Sequence, residues 1–184
     1  MTKPPNALLD TTVFCGALVK PAGINMRLLK LGATPLFQPV ISQAVIAEFI
    51  HKACCDGIGK GKTKRIYIPE EIGLFLQAFS AILEPEQAVT IQQTYQFVST
   101  FPGDTPLWVV LSKFANFWPL TTDLSTKLNR PINQTDLGDF HILLAAVQTH
   151  PDVVVTSNIA DIEVLKSFCE VMTPGDFLNC LGGL

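Results

Sequence analysis

With 184 residues, 48% of them apolar and only 16% charged, the chain is long enough to bury a core and too apolar to remain disordered. A net charge of −3 argues against a surface covered in nucleic-acid contacts. No apolar run approaches the roughly 18 residues that a bilayer span requires.

Met1–Asn6 has neither the apolar stretch nor the small-residue cleavage site of a secretory leader, so export is not expected. The five cysteines are odd in number, Cys54 and Cys55 are adjacent, and there is no Cys-x-x-Cys pair. This usage predicts reduced thiols in a cytoplasmic protein. The three histidines, His51, His141 and His150, show no zinc-ligand spacing with them.

In chain order, Ala7–Asp10 reads as a short buried strand that ends in a carboxylate, and Thr12–Val19 as a short helix. Pro21-Ala22-Gly23 breaks it. Ile24–Leu31 has helical spacing and stops at Gly32. Leu36–Ile41 reads as a second strand despite Pro39. Ser42 is the predicted cap of a helix whose stripe is Val45, Ile46, Phe49 and Ile50, with Glu48 between the apolar positions. From Lys52 to Arg65 the chain is glycine-rich and basic, and reads as a flexible loop.

Pro69 opens the next helix, with Glu70 and Glu71 in its first turn and Ile72, Phe75, Leu76, Phe79 and Leu83 as its stripe. Further helices are predicted over Ala88–Val98, Pro106–Phe117 and Thr121–Leu128. Asp136 is the predicted cap of a strong helix in which Asp139 occupies the first turn. Val153–Thr156 is a buried strand, Ile162–Phe168 a helix, Val171–Thr173 a short strand, and Pro174 starts a final helix toward Leu181. Short apolar strands alternating with helices predict a single α/β domain over residues 1–184, with a mostly parallel sheet.

Four carboxylates interrupt the apolar segments: Asp10, Glu48, Asp139 and Asp161. In parallel α/β sheets, functional groups collect at the carboxyl ends of the strands, where Asp10, Asn158 and Asp161 fall. Two carboxylates about 4 Å apart repel by roughly 4 kcal/mol at an effective dielectric near 20, so a convergent set calls for a hard divalent cation. Each residue also has a plainer reading. Asp10 and Asp161 could cap helices, Glu48 could face solvent and pair with Lys52, Asp139 could offset a helix dipole, and Asn158 could serve a turn. His141 reads as a hydrogen-bonded structural residue.

The order of these segments resembles the PIN-domain nucleases. Leu8-Leu9-Asp10-Thr11-Thr12-Val13-Phe14 is similar to that family's opening strand and Asp-Thr-Asn. Ser42–Phe49 is similar to the helix that supplies its Glu, and Asp136–Ala146 to its Asp-rich helix start. Val154–Ile162 is similar to its strand followed by Thr-x-Asn/Asp and a further Asp. Val171–Leu178 resembles the closing segment of the toxin nucleases of prokaryotic toxin–antitoxin pairs. Thr12 stands where the family usually has Asn, and Asn158 where some members have Asp. Residues 57–116 form a helical middle segment that matches no part of the pattern.

The resemblance implies a three-layer α/β/α sandwich and a Mg2+- or Mn2+-dependent endoribonuclease acting on single-stranded RNA. It implies Asp10, Glu48, Asp139 and Asp161 as catalytic acids, with Asp10, Asp139, Asp161 and Asn158 around the metal. The basic loop, by its charge pattern either a solvated surface loop or a phosphate-contacting strap, would guide the RNA backbone through Lys60, Lys62, Lys64 and Arg65; a small antitoxin would be the partner, and the domain would self-associate. A PIN-like RNA- or protein-binding module with weakened catalysis is the alternative.

Overall fold

The structure, a computed structural model, describes residues 3–83, 96–97, 99–102, 105–115, 121–129, 131 and 138–182. The first strand, β1 (Asn6–Leu9), carries Ala7, Leu8 and Leu9 completely out of solvent. Helices α1 (Thr11–Val19) and α2 (Ile24–Leu31) lead to β2 (Gln38–Val40). Helix α3 (Gln43–His51) follows, capped by Ser42, whose Oγ accepts from the Val45 N–H at 3.2 Å. After the basic segment come α4 (Pro69–Gln77), α5 (Leu107–Ala115), α6 (Thr121–Lys127) and α7 (Phe140–Thr149). The chain closes with β3 (Val153–Val155), a 3-10 turn (Glu163–Ser167), β4 (Glu170–Met172) and α8 (Pro174–Gly182).

The four strands form one sheet in the order β2-β1-β3-β4, and every pairing is parallel. β1 and β3 are central, and the pairing Leu8↔Val154 lies between side chains with no exposed surface. This is the α/β class with the all-parallel sheet expected from the alternating pattern. Pro39 is tolerated because β2 is an edge strand that pairs only with β1.

From β1 the chain moves outward to β2, then crosses back over β1 to reach β3 on the other side. Right-handed crossovers put helices from these two excursions on opposite faces of the sheet. Helices α1, α2 and α8 pack in one series and α3, α5, α6 and α7 in another, and α1 also packs against α3. Phe49 of α3 bridges the core, its ring centroid 5.7 Å from that of Phe14 and 5.5 Å from that of Phe75. The reversal of direction between β1 and β3 is a switch point, and the crevice at its carboxyl edge is where such sheets bind ligands.

Several predicted boundaries move. The predicted helix over Ile162–Phe168 is a 3-10 turn from Glu163 to Ser167. Helix α4 ends at Gln77, although Phe79 and Leu83 beyond it remain buried. The predicted helix start at Asp136 lies outside the described residues. Asp139 is the N-cap of α7 rather than a first-turn residue, and its side chain makes no cap hydrogen bond. The predicted helix over Ala88–Val98 lies outside the described residues except at residues 96–97.

The basic segment is ordered by hydrogen bonds. His51 of α3 runs into a π-helical turn at Lys52–Asp56. Ile58 and Arg65 then exchange backbone hydrogen bonds of 2.8 and 2.9 Å across a hairpin that contains a 3-10 turn at Gly61–Thr63. Gly59 has φ +121°, and a Cβ there would lie 2.5 Å from the Thr63 carbonyl oxygen. Gly59→Ala is therefore expected to cost about 1–3 kcal/mol locally. It should speed tryptic cleavage after Lys60, Lys62 and Lys64, read as the half-life of intact chain against wild type.

Candidate metal centre

The carboxyl edge of β1 and β3 places the first acid. The Asp10 N–H donates to the Val155 carbonyl (3.1 Å), so the ladder runs one residue beyond β1 and sets the side chain at the sheet edge. Asp10 stands at the N-cap position of α1 but does not cap it with its side chain. Its Oδ2 instead accepts from Thr12 Oγ1 (2.7 Å) and Thr156 Oγ1 (2.6 Å). Thr12 in turn accepts from the Ser157 N–H (3.0 Å), and Thr156 from the Asn158 N–H (2.9 Å). Thr12, the departure from the family pattern, thus braces the first acid through a hydroxyl. Both hydroxyls fall on Oδ2, which leaves Oδ1 without a hydrogen bond among the described residues.

Helix α3 supplies Glu48, only 4% exposed, which overturns the reading of a solvent-facing helix residue. The pairing with Lys52 does occur, at 2.7 Å from Nζ to Oε1, but at a buried carboxylate. Glu48 Oε2 accepts a short hydrogen bond from Thr11 Oγ1. Burial alone would raise the Glu48 pKa, but His141 and Lys52 outweigh it and hold the carboxyl down at about 2.

His141, from the first turn of α7, completes an inner group. It is 2% exposed, and its Nε2 lies 2.9 Å from Glu48 Oε2. That contact lies at ion-pair distance and helps hold Glu48 ionised, while neither ring nitrogen has a partner in strict hydrogen-bond geometry among the described residues. Orphaned buried polar atoms are uncommon and ask for a ligand. Asp10, Glu48 and His141 each present a donor atom within 4.8 Å of the others, and together they could hold a metal ion. Cys15 lies within electrostatic reach of the group, but burial pushes its thiol up to about 12, so it offers no thiolate.

Asp139 and Asp161 stand farther out. Asp139 is half-buried, and burial raises its carboxyl to about 6, helped by the charges of Asp10, Asp161 and Glu48 against the opposing effect of His141. Asp161 is exposed and accepts a short hydrogen bond from Asn158 Nδ2, so these two residues pair with each other. The 3-10 turn that follows has Ile162, not Asp161, at its N-cap. In the hairpin, Lys60, Lys62 and Lys64 are exposed, whereas Arg65 pairs with Glu71 and stacks 4.6 Å over the Tyr67 ring. Arg65 is thus engaged within the protein.

Sequence reasoning gave His141 only a structural role. A histidine inside an apolar helix start was the available signal, but the approach to Glu48, 93 positions earlier by number (141 − 48), exists only in the fold.

The Asp139 shift has a measurable consequence. Its folded value lies above the usual 3.8, so the stability it contributes is full below 3.8 and lost as pH rises through 6. Glu48 works the other way: its contribution is present above the usual 4.5 and lost as pH falls toward 2. Between pH 4.5 and 6 only Asp139 of these two is changing. In that window the melting midpoint of EDTA-treated protein should fall with rising pH relative to Asp139→Asn. Parallel curves for the two proteins would contradict this.

Among the described residues, no helix is long and apolar enough to cross a membrane. The chain matches no family model, no curated protein and no solved structure, so fold and site geometry alone carry the functional reading.

Proposed function

We propose that this protein is a PIN-like, metal-dependent endoribonuclease that hydrolyses phosphodiester bonds of single-stranded RNA. The observation that carries the reading is the convergence of Asp10, Glu48 and His141 at the carboxyl edge of the β1–β3 switch point, with Asp139 and Asp161 in electrostatic range. A bound Mg2+ or Mn2+ would supply a Lewis acid for the phosphate and an acidified water.

Asp10 and Glu48 would hold the ion, each fixed by threonine hydroxyls. Glu48, at about 2 and bonded on both oxygens, is a poor proton acceptor, so its role is positioning. Asp139, held at about 6, is matched to accept a proton from attacking water near neutral pH. Asp161 and Asn158 follow the carboxyl end of β3, and Lys60, Lys62 and Lys64 would offer ammonium groups to an RNA backbone on a hairpin that follows the Glu48 helix.

In the toxin setting the partner is a small antitoxin that places a cation in this acidic cleft in the cytoplasm, and the domain self-associates. The test is RNA cleavage with Mn2+ or Mg2+ by wild type, Asp10→Asn and Asp139→Asn. Equal activity in all three rejects the assignment.

A second reading, a binding module with weakened catalysis, draws on two contacts that occupy carboxylates: the Lys52 charge on Glu48 and the Asn158 amide on Asp161. It expects no rise in melting midpoint at millimolar Mn2+, whereas an ion bound only to the native state raises it.

A further inference from the structure

We infer that His141 is itself a metal ligand, and that the site takes a transition-metal dication of the Mn2+ type in preference to Mg2+. The inference rests on the metal-binding part of the functional reading and specifies which ion and through which atom.

Three observations support it. First, His141 is 2% exposed and has two ring nitrogens without hydrogen-bond partners among the described residues. Nε2 meets only the Glu48 carboxylate, and a cation held beside it would take the lone pair of one ring nitrogen.

Second, the Nε2–Oε2 separation is 2.9 Å without hydrogen-bond alignment. Two donors on adjacent corners of an octahedron with bonds of about 2.1 Å lie about 3.0 Å apart, and their lone pairs point at the ion rather than at each other. The observed contact has that spacing. All three donors lie within 4.8 Å of one another, the scale of a single coordination sphere.

Third, the remaining valences are already assigned. Lys52 takes Glu48 Oε1 and the two threonines take Asp10 Oδ2. Glu48 Oε2, which also accepts from Thr11, lies against the imidazole, and Asp10 Oδ1 carries no hydrogen bond among the described residues. Two oxygens and one imidazole nitrogen form a mixed donor set. Mg2+ strongly prefers oxygen and keeps its waters, whereas first-row transition dications accept imidazole readily.

The experiment uses full-length, EDTA-treated protein and the metals alone. Titration calorimetry with MnCl2 and MgCl2 is expected to give a Kd for Mn2+ at least about 10-fold tighter than for Mg2+. His141→Gln should reduce that advantage to about 3-fold or less, by weakening Mn2+ much more than Mg2+. Because a buried substitution can impair folding, a second measurement uses the wild type only. Pulsed electron paramagnetic resonance of the Mn2+-loaded protein should show nitrogen coupling that changes on labelling histidine with 15N.

Equal Kd values for the two ions, or no histidine coupling in the Mn2+ spectrum, would overturn the inference. RNA plays no part in either readout. A protein that binds Mn2+ through nitrogen yet leaves RNA intact refutes the nuclease reading alone. One that cuts RNA with no nitrogen coupling refutes this inference alone.

Discussion

Asp10→Asn is expected to lower metal-dependent RNA cleavage by about 10²–10³-fold, the scale seen when one preorganised electrostatic contact is removed from an active site. The substitution preserves shape. Thr12 and Thr156 both donate to Oδ2, so the amide oxygen will occupy that position and the amide nitrogen will face the donor group. An oxygen that could ligate a cation is thereby replaced by a donor that repels one.

The same change removes a negative charge that raises Asp139, so the Asp139 carboxyl should fall toward its usual range. The metal-free variant should consequently melt no lower than wild type, while the midpoint gain on adding Mn2+ shrinks. Loss of activity with unchanged metal-free melting separates a chemical role from misfolding. A variant that cleaves RNA at the wild-type rate would remove Asp10 from the reaction.

Lys52→Met is expected to destabilise the metal-free protein by about 3 kcal/mol, the low end of the cost of stripping one partner from a buried ion pair. The low end applies because the Lys52 side chain remains 37% exposed while that of Glu48 is 5% exposed. The contact being lost is the 2.7 Å bond to Glu48 Oε1, which helps hold that carboxyl ionised against burial. For a chain of this length, about 3 kcal/mol corresponds to a fall in Tm of roughly 6–12 °C.

The pH dependence gives an internal control. Glu48 contributes stability above 4.5 that disappears as pH falls through 2. With Lys52 gone, the folded-state value rises and that stretch of the acid limb flattens. Bound Mn2+ should recover part of the lost stability, since the ion supplies the positive charge that Met does not. A variant that melts like wild type at pH 7 would show the pair to be energetically neutral.

Much of the fold was readable because its signals are local. The apolar run at Ala7–Leu9, the Ser42 cap and the helix bounded by Gly23 and Gly32 all appear where short-range patterning places them. The boundaries that moved depend on tertiary packing. Residues after Gln77 stay in the core without remaining helical, and the turn after β3 is too short to make an α-helix.

The site was legible in part. Carboxylates at strand ends are a positional signal, and Asp10 was found by it. Glu48 required knowledge of which way α3 faces, which six residues of spacing from its cap left open. The place of His141 beside Glu48 was unreadable, because the residues nearest it in space come from elements scattered along the chain. Arg65 illustrates the reverse case: composition counts it among the available basic groups, but geometry commits it to Glu71 and Tyr67.

The central pairing of β1 with β3 also governs when the molecule becomes competent. Thr156, which anchors Asp10, lies 146 positions later in the chain. During synthesis β1 can find β2 early, but its other edge stays open until the Val153–Val155 segment has emerged. Bringing together segments so distant is entropically slow, and a partly made chain has no assembled donor group to offer a cation. Until β3 is made, the Thr156 hydroxyl that anchors Asp10 is missing, so assembly of the donor group waits on a contact between distant segments.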